Sequence, residues 1–419
     1  MSDAASRAYG LSRETKGSVA LRRAPVDVPR PRWWVIFLLR ILLGLYLPRA
    51  YNLVVRGDRQ AMKRRGPFIL VGNHQNFWDP FLVGLHMREV PQFVTSDNIF
   101  RGGFFSRVMT GVGSIPISKY MRNSDTIRMI SGVLKRGGVV GMYPESDRTY
   151  DGRSLPVRPE VVKLIRMMRV PVIGVHQRGG FLSGPKWGPH RRRGRLELRY
   201  ELLYDPEKEG DVALEVLLER VRGVIEHDEM RAQRTDPVAF RSTRPAEGLE
   251  RFLYACPVCG EFQTHVTEGD SMRCSACGHT TRMDEFGLLH PSTVPDRQEW
   301  DLLETWSAAQ SKLLRQRIAE ADAETAVFTQ RVELCTGYRT RTLQSQGAAE
   351  VVCHGQGITI QTSSQRLSFA FSDIEGATVQ NKEQFEFYHQ GVLYRFGHTA
   401  EHQSGYIWYD AVRQACGEA

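Results

Sequence analysis

"PFILVGNHQNFWDPFLVGLHM", residues 67–87, decides how the first half of the chain folds. The run 67–72 is almost continuously apolar and stops at Gly72, the pattern of a short strand buried on both faces. Asp79 followed by Pro80 is a helix start signal, and "FLVGLHM" behind it reads as a helix. A strand, a short loop and a helix make up the repeating unit of an α/β sheet. Loops that leave parallel strands are held rigidly and often carry a site. This one presents Asn73, His74, Asn76, Trp78 and Asp79.

Outward from this unit, strand-like runs recur as "YNLVVRG", "PQFVTS", "SIPIS", "GVVGMYP", "VPVIGVH" and "RLELRYELL", with helical patterns over 80–88, 104–110, 122–136 and 159–168. The alternation predicts an α/β domain over 51–228 with a mainly parallel central sheet flanked by helices. An amphipathic helix at 211–227 closes it, with Val212, Leu214, Val216, Leu217, Val221 and Val224 at helical spacing.

Taken singly, Asp79 reads as a helix cap and His74 as a loop histidine satisfied by backbone. Taken together they read as a base and its orienting carboxylate. An imidazole that accepts a proton from a hydroxyl needs its ring held and its imidazolium stabilised, and a carboxylate on the other ring nitrogen does both. The loop offers no serine or cysteine nucleophile, so the chemistry expected is direct attack by an acceptor hydroxyl with His74 as general base. "GSIPISK" at 113–119 sets Lys119 behind another strand, and "YPESDRTYDG" at 143–152 sets Glu145 and Arg148 behind a third. Strand ends of a parallel sheet converge on one face, where Lys119 and Arg148 would attract a phosphate. The plain alternative for Glu145 and Arg148 is a surface ion pair.

These blocks resemble the motifs of the glycerolipid acyltransferases, the 1-acylglycerol-3-phosphate acyltransferase family. "NHQNFWD" is similar to its His-x4-Asp block, "GSIPISK" to its second block, "YPESDRT" to its third and "VPVIGV" to its fourth. Order and spacing agree over about residues 33–225, roughly half the chain. The resemblance implies His74 as base with Asp79 as orienter, and an acceptor bound by Asn73, Glu145 and Arg148 with Lys119 at the phosphate. It implies transfer of a fatty acyl group from an acyl thioester, on coenzyme A or acyl carrier protein, to a lysophospholipid hydroxyl. Backbone N–H groups near the 72–76 turn are expected at the oxyanion. The third block departs from the family pattern: Ser146 and Asp147 stand where glycine and threonine are usual. Glycine allows closer backbone approach than Ser146, and Asp147 adds a negative charge where a phosphate would bind.

The chain has 419 residues, 41% hydrophobic and 25% charged, with a net charge of +9, which bounds it to two or three globular domains. A basic excess suits nucleic acid, an anionic membrane or a phosphorylated substrate equally. Residues 1–32 are Arg-rich and aperiodic, the composition of a disordered basic tail. "WWVIFLLRILLGLYL" follows at 33–47, short for a span and carrying Arg40 at its middle. Flanking arginines and paired tryptophans favour a helix over 33–50 lying at a membrane interface, on the cytoplasmic face, over a buried core helix.

Seven cysteines, an odd number, and no secretory leader pattern argue for a reducing compartment. Cys256, Cys259, Cys274 and Cys277 form two Cys-x2-Cys pairs, each followed by a glycine, which predicts a structural zinc ribbon over 250–290. His265 and His279 are expected in loops and outside the ligand set. Residues 229–249 read as a linker or extended wrap. Residues 297–419 read as a helix, eight short strands and a closing helix, a β-rich domain resembling the pleckstrin-homology-like architecture. The basic run "HRRRGR" at 190–195 reads as a solvated loop or a contact for lipid headgroups. Two alternatives remain: acylation of another amphiphilic acceptor, and a non-catalytic membrane or nucleic-acid adaptor that uses the zinc ribbon. Against nucleic acid, residues 250–290 lack the interleaved basic and aromatic residues of a single-strand platform.

Overall fold

The computed structural model describes residues 28–117, 124–293, 299–338, 341–398 and 403–417. Within the first half the elements run α1 (Trp33–Ala50), β1 (Val54–Gly57), β2 (Phe68–Gly72), α2 (Asp79–Leu85), β3 (Gln92–Ser96), α3 (Gly103–Gly111), β4 (Ile115–Ile117), α4 (Ser124–Lys135), β5 (Val139–Met142), α5 (Pro159–Met168), β6 (Val172–Arg178), β7 (Glu197–Tyr204) and α6 (Leu214–Ile225). The seven strands expected are the seven strands found. They form one sheet in the order β1-β7-β6-β2-β5-β3-β4. β6 and β7 are antiparallel, and every other neighbouring pair is parallel.

Alternate residues of the central strands feed two cores. Ile69, Val71, Val140 and Val172 face α4, α5 and α6 through Ile130, Val133, Val162, Ile165, Leu217 and Val221. Phe68, Leu70, Val139 and Ile173 face the other side, against Leu82 and Val83 of α2 and Leu47 of α1. All five residues of β2 are buried. The site loop therefore leaves a strand buried along its whole length, which fixes where its first residue starts.

Helix α1 is 18 residues long with mean hydropathy 1.5, long and apolar enough to cross a membrane by length and composition. Its inner side buries Val35, Leu47 and Ala50. Its outer side leaves Trp33, Trp34, Phe37, Leu38, Ile41, Leu42, Leu45 and Tyr46 exposed. Arg40 stays exposed and donates to the carbonyls of Met87 (2.8 Å) and Arg88 (2.9 Å) just beyond α2. The charge at the middle of the apolar run thus satisfies two carbonyls past a helix end.

The second half opens with α7 (Glu229–Thr235). Within the stretch read as a linker or wrap, Met230, Phe240, Ala246 and Leu249 are buried. The ribbon is a four-stranded antiparallel sheet of β8 (His265–Glu268), β9 (Ser271–Cys274), β10 (Thr280–Met283) and β11 (Leu289–Pro291). His265 belongs to β8, not to a loop, and its Nδ1 lies 2.8 Å from the Leu253 carbonyl. Helix α8 (Leu303–Glu320) leads into β12 (Phe328–Gly337), β13 (Gln344–Cys353), β14 (Gly357–Gln361), β15 (Arg366–Ala370), β16 (Glu375–Gln380), β17 (Gln384–His389), β18 (Val392–His398) and α9 (Tyr406–Cys416). These strands pair antiparallel in the order β15-β14-β13-β12-β18-β17-β16, and α9 closes the module. Seven strands form where eight were expected. β13 runs unbroken through the expected break at 346–348 because Gly347 takes a φ of +86°, and the register against β12 shifts there instead of the strand ending.

One hydrophobic core runs through all of this half and into the first. Trp187, Phe252, Tyr254, Trp306, Phe387 and Trp408 belong to it, as do Tyr150 and Phe181 of the α/β domain. The run 190–195 is drawn into the same packing. Arg192 is buried, donates to the Pro245 carbonyl (2.7 Å) and lies over the Trp187 ring, while Arg191 lies over Tyr51. Neither a solvated loop nor a headgroup contact describes these two arginines. Their guanidinium groups satisfy buried carbonyls and cover aromatic faces.

Candidate active site

Asp79 is the centre of the loop that follows β2. Its carboxylate is wholly buried and reaches backward, away from the helix it begins. Oδ2 accepts from the backbone N–H groups of Gln75 (2.7 Å) and Asn76 (2.8 Å) and lies 2.8 Å from His74 Nδ1. Oδ1 accepts from Gln177 Nε2 at 2.7 Å. The cap reading of Asp79 therefore does not describe it: the N–H groups it satisfies belong to the preceding turn, and the first helical residue is Asp79 itself.

The His74 ring is fixed on two sides. Nδ1 sits on Asp79, and one face stacks on Tyr143 with centroids 4.2 Å apart and planes 11° apart. Burial lowers the His74 pKa, against the pull of Asp79 upward and with a further downward push from the Arg148 charge. At neutral pH the ring is thus uncharged. With the proton on Nδ1 and shared with Asp79, Nε2 carries the free lone pair. About a fifth of the His74 side chain is exposed, so this nitrogen can meet a substrate.

Glu145 locks the loop after β5 to the loop after β2. Oε1 accepts from the His74 N–H (2.6 Å) and Oε2 from the Leu155 N–H (2.7 Å). Burial pushes the Glu145 carboxyl up to about 8 although both amides favour its charge. Asn73 does the same on the other flank: its Nδ2 donates to the Gln177 carbonyl (2.8 Å) and its Oδ1 accepts from the Gln177 N–H (2.7 Å). Three neighbouring strand ends are therefore stitched together by side chains, which holds the imidazole in place.

The amides of His74, Gln75 and Asn76, expected at the oxyanion, are already bound to Glu145 and Asp79. A developing oxyanion must find other donors. Ser146 has a φ of +67°, so the serine adopts the backbone that glycine favours. The Asp147 charge is met by Lys186, a buried lysine at 3.0 Å that also lies over the Tyr150 ring at 4.3 Å. Asp147 is thus a compensated charge rather than a bare obstacle to phosphate. Arg148 has no side-chain hydrogen bond or ion pair among the described residues; its backbone N–H donates to Asp147 (2.7 Å). Glu145 and Arg148 do not form the surface pair considered above. Lys119 lies outside the described residues.

Gln177, Tyr143 and Lys186 were not foreseen as parts of the site. The first carried a faint signal, a polar residue at the end of an apolar strand. Tyr143 carried none beyond its place in the third block, and Lys186 none at all. Within the loop, Phe77 packs on Trp78 and on Phe105 of α3 at 5.6 Å each. A cleft of about 570 Å³ lies elsewhere, under the start of α1 beside Arg40 and Arg136.

The four ribbon cysteines form a second constellation. Their sulfurs lie within 4.8 Å of one another, with Cys256 and Cys277 at 3.6 Å and Cys259 and Cys274 at 3.8 Å. Sulfurs about 2.3 Å from a tetrahedral zinc ion are about 3.8 Å apart, so the donor set fits. Gly260 and Gly278 donate to the carbonyls of Cys256 and Cys274 at 2.9 Å each and have φ of +72° and +77°, two matching knuckles. His265 and His279 are outside this cluster.

Residues 53–177 match the family described as Acyltransferase, a span that contains His74, Asp79, Glu145 and Arg148. The α/β unit is thus similar, over that span, to acyltransferase domains. A chloroplastic 1-acyl-sn-glycerol-3-phosphate acyltransferase of Brassica napus is 23% identical over 141 residues, 33% of this chain and 41% of that protein. Its namesake in Arabidopsis thaliana is 24% identical over 119 residues, 28% of this chain and 33% of that one. The chain thus spans less than half the length of either relative. The crystal structure of the 1-acyl-sn-glycerophosphate acyltransferase PlsC from Thermotoga maritima gives a TM-score of 0.40 at 21% identity, covering 46% of this chain and 76% of that one.

Proposed function

We infer that the protein transfers a fatty acyl group from an acyl thioester, on coenzyme A or acyl carrier protein, to the hydroxyl of a lysophospholipid such as 1-acylglycerol-3-phosphate. The observation that carries this reading is the buried Asp79 carboxylate 2.8 Å from Nδ1 of a neutral His74, within the span that matches the acyltransferase family. His74 Nε2 takes the proton of the acceptor hydroxyl as its oxygen attacks the thioester carbon. Asp79 stabilises the imidazolium that results. Collapse of the tetrahedral intermediate breaks the C–S bond, and the imidazolium returns the proton to the thiolate. The aromatic cluster of Phe77, Trp78 and Phe105 suits the acyl chain, and the exposed apolar side of α1 suits an interfacial position on the cytoplasmic face of the cell membrane. Zinc in the four-cysteine cluster holds the ribbon and takes no part in the reaction, since a closed four-thiolate site leaves no open position. The C-terminal sheet, pleckstrin-homology-like in architecture, braces the ribbon and the loop at Tyr150.

The test is His74→Ala in purified protein supplied with acyl-CoA or acyl-ACP and lysophospholipid acceptors. Acyl transfer is expected to vanish while the melting temperature and zinc content stay at the wild-type values. A variant that keeps its activity removes His74 as the base. A wild-type protein inactive with every donor and acceptor favours the adaptor reading.

A further inference from the structure

The cleft of about 570 Å³ under the start of α1 has Arg30, Arg40, Arg88 and Arg136 on its walls, with Glu89 as the one carboxylate among the described residues there. Like charges gathered around one space repel one another until an anion joins them. Arg30 and Arg88 are exposed and have no side-chain hydrogen bond or ion pair among the described residues. Arg40 uses Nη2 alone on the carbonyls of Met87 and Arg88, which are neutral partners and leave its charge in place. One carboxylate thus stands against the three exposed arginines. Arg136 forms a fixed inner wall: Nη1 donates to the Val28 carbonyl (2.7 Å) and Nη2 to Oε1 of the buried Gln92 (2.9 Å). Gln92 Nε2 in turn donates to the Gly113 carbonyl (2.6 Å). The cleft lies at the starting ends of β3 and β5, beside Gln92 and Gly138, whereas His74 and Glu145 follow the finishing ends of β2 and β5. It is therefore separate from the site at His74. Its outer lip is apolar: Trp33 and Phe37 line it, are 78% and 61% exposed, and continue into the outward side of α1.

We propose that this cleft binds the phosphate headgroup of an anionic phospholipid, with Trp33 and Phe37 against the first part of its acyl chains. Guanidinium groups suit phosphate oxygens because they donate in pairs and stay charged. A soluble anion would satisfy the arginines and leave both aromatic side chains in water, whereas a lipid satisfies both parts of the cleft at once. With the outward side of α1 at an interface, the three exposed arginines lie where headgroups are, as cations do beside an interfacial helix. The same helix packs through Leu47 on Leu82 and Val83 of α2, whose first residue is Asp79. A lipid held at the start of α1 would then set how the domain sits on an anionic membrane, without taking part in the reaction.

The proposal rests on the interfacial position read for α1 and not on acyl transfer, and its test separates the two. Full-length protein is floated with vesicles of phosphatidylcholine alone and with vesicles that also contain phosphatidylglycerol, which is neither acceptor nor product of the proposed reaction. The wild type should bind the anionic vesicles more tightly. Arg30→Gln combined with Arg88→Gln should weaken that binding by about thirtyfold, roughly fivefold for each guanidinium, and leave the melting temperature and binding to phosphatidylcholine alone unchanged. Arg49→Gln combined with Arg59→Gln removes the same charge from exposed positions outside the cleft and should weaken binding less than about threefold. Equal losses in the two double variants mark diffuse charge and overturn the proposal. So does wild-type binding that is indifferent to phosphatidylglycerol, which leaves the interfacial reading of α1 standing. Binding to neither vesicle defeats that reading together with the proposal. Inorganic phosphate that binds the wild type without vesicles, and not the cleft variant, marks a site for a soluble anion and overturns the lipid assignment.

Discussion

Replacing Asp79 by asparagine tests whether the loop after β2 is catalytic or only well packed. The carboxylate and the carboxamide have the same shape. The N–H groups of Gln75 and Asn76 both point at Oδ2, so asparagine is forced to place its oxygen there. That oxygen still accepts from His74 Nδ1, which preserves the ring tautomer. Its amide then faces Gln177, whose Oε1 is buried without a partner and can accept after the Gln177 amide rotates. The fold is expected to survive. What is lost is the negative charge beside the imidazolium. Two unit charges about 4 Å apart at an effective dielectric of about 20 interact by about 4 kcal/mol, which is about a thousandfold in rate. The expected outcome is a kcat/KM for acyl transfer about a thousandfold below wild type, with the melting temperature within a few degrees. Asp79→Ala is the contrast: it leaves the two amides and Gln177 Nε2 without an acceptor, at about 1–3 kcal/mol each, and should lose stability as well as rate. An Asp79→Asn protein that is folded and as active as wild type would refute the charge argument.

Other expectations follow from the same geometry. The lowered His74 pKa puts the acid limb of kcat/KM below pH 6.5; the base is neutral above that limb and is lost as pH falls through it, which a pH–rate profile reads directly. Ser146→Gly relieves a left-handed serine and should gain up to about 1 kcal/mol in denaturant unfolding, where a glycine replacement in ordinary backbone loses about that much. Metal analysis should find one zinc per chain, and Cys277→Ser or a chelator should lower the melting temperature together with the zinc content. Replacing Trp33 and Phe37 by serine should reduce co-sedimentation with anionic vesicles without unfolding the protein, since both side chains face outward.

The central strands β2, β5 and β6 were legible because each has a short apolar run bounded by glycine or proline, the pattern of strands covered on both faces. The meeting of His74 and Asp79 was legible as well, because a short loop between a buried strand and a helix start can bring residues five apart together. Other features were hidden for identifiable reasons. Gly347 looked like a strand break, yet a glycine with positive φ can carry a bulge inside a strand. A run of arginines defaults to solvent, and nothing local announces that Arg192 will meet a carbonyl some fifty residues away. The amides of the site turn were assigned to an oxyanion because their competitors lie elsewhere: Glu145, which claims the amide of His74, is 71 positions distant. Apolar residues state that they will be buried, not which domain will bury them, so the shared packing of Tyr150 with Phe252 and Tyr406 was invisible.

That shared packing changes how the chain is best divided. Asp79 binds the loop after β2 to the end of β6, and Glu145 binds it to the loop after β5. Tyr150, five residues beyond Glu145, inserts into the core that also holds the ribbon and the C-terminal sheet. A displacement of that core therefore reaches His74 through one short loop and one buried carboxyl. The loop has little freedom to absorb it: the Thr149 N–H donates to the His74 carbonyl at 3.4 Å, and Asp147 is tied to a buried lysine. The ribbon and the sheet are then conditions of the site's geometry, although neither supplies the base. Damage to the zinc cluster should consequently depress acyl transfer in proportion to the folded fraction, leaving the acid limb of the pH profile where it was, whereas substitutions at Asp79 should change rate in molecules that remain folded.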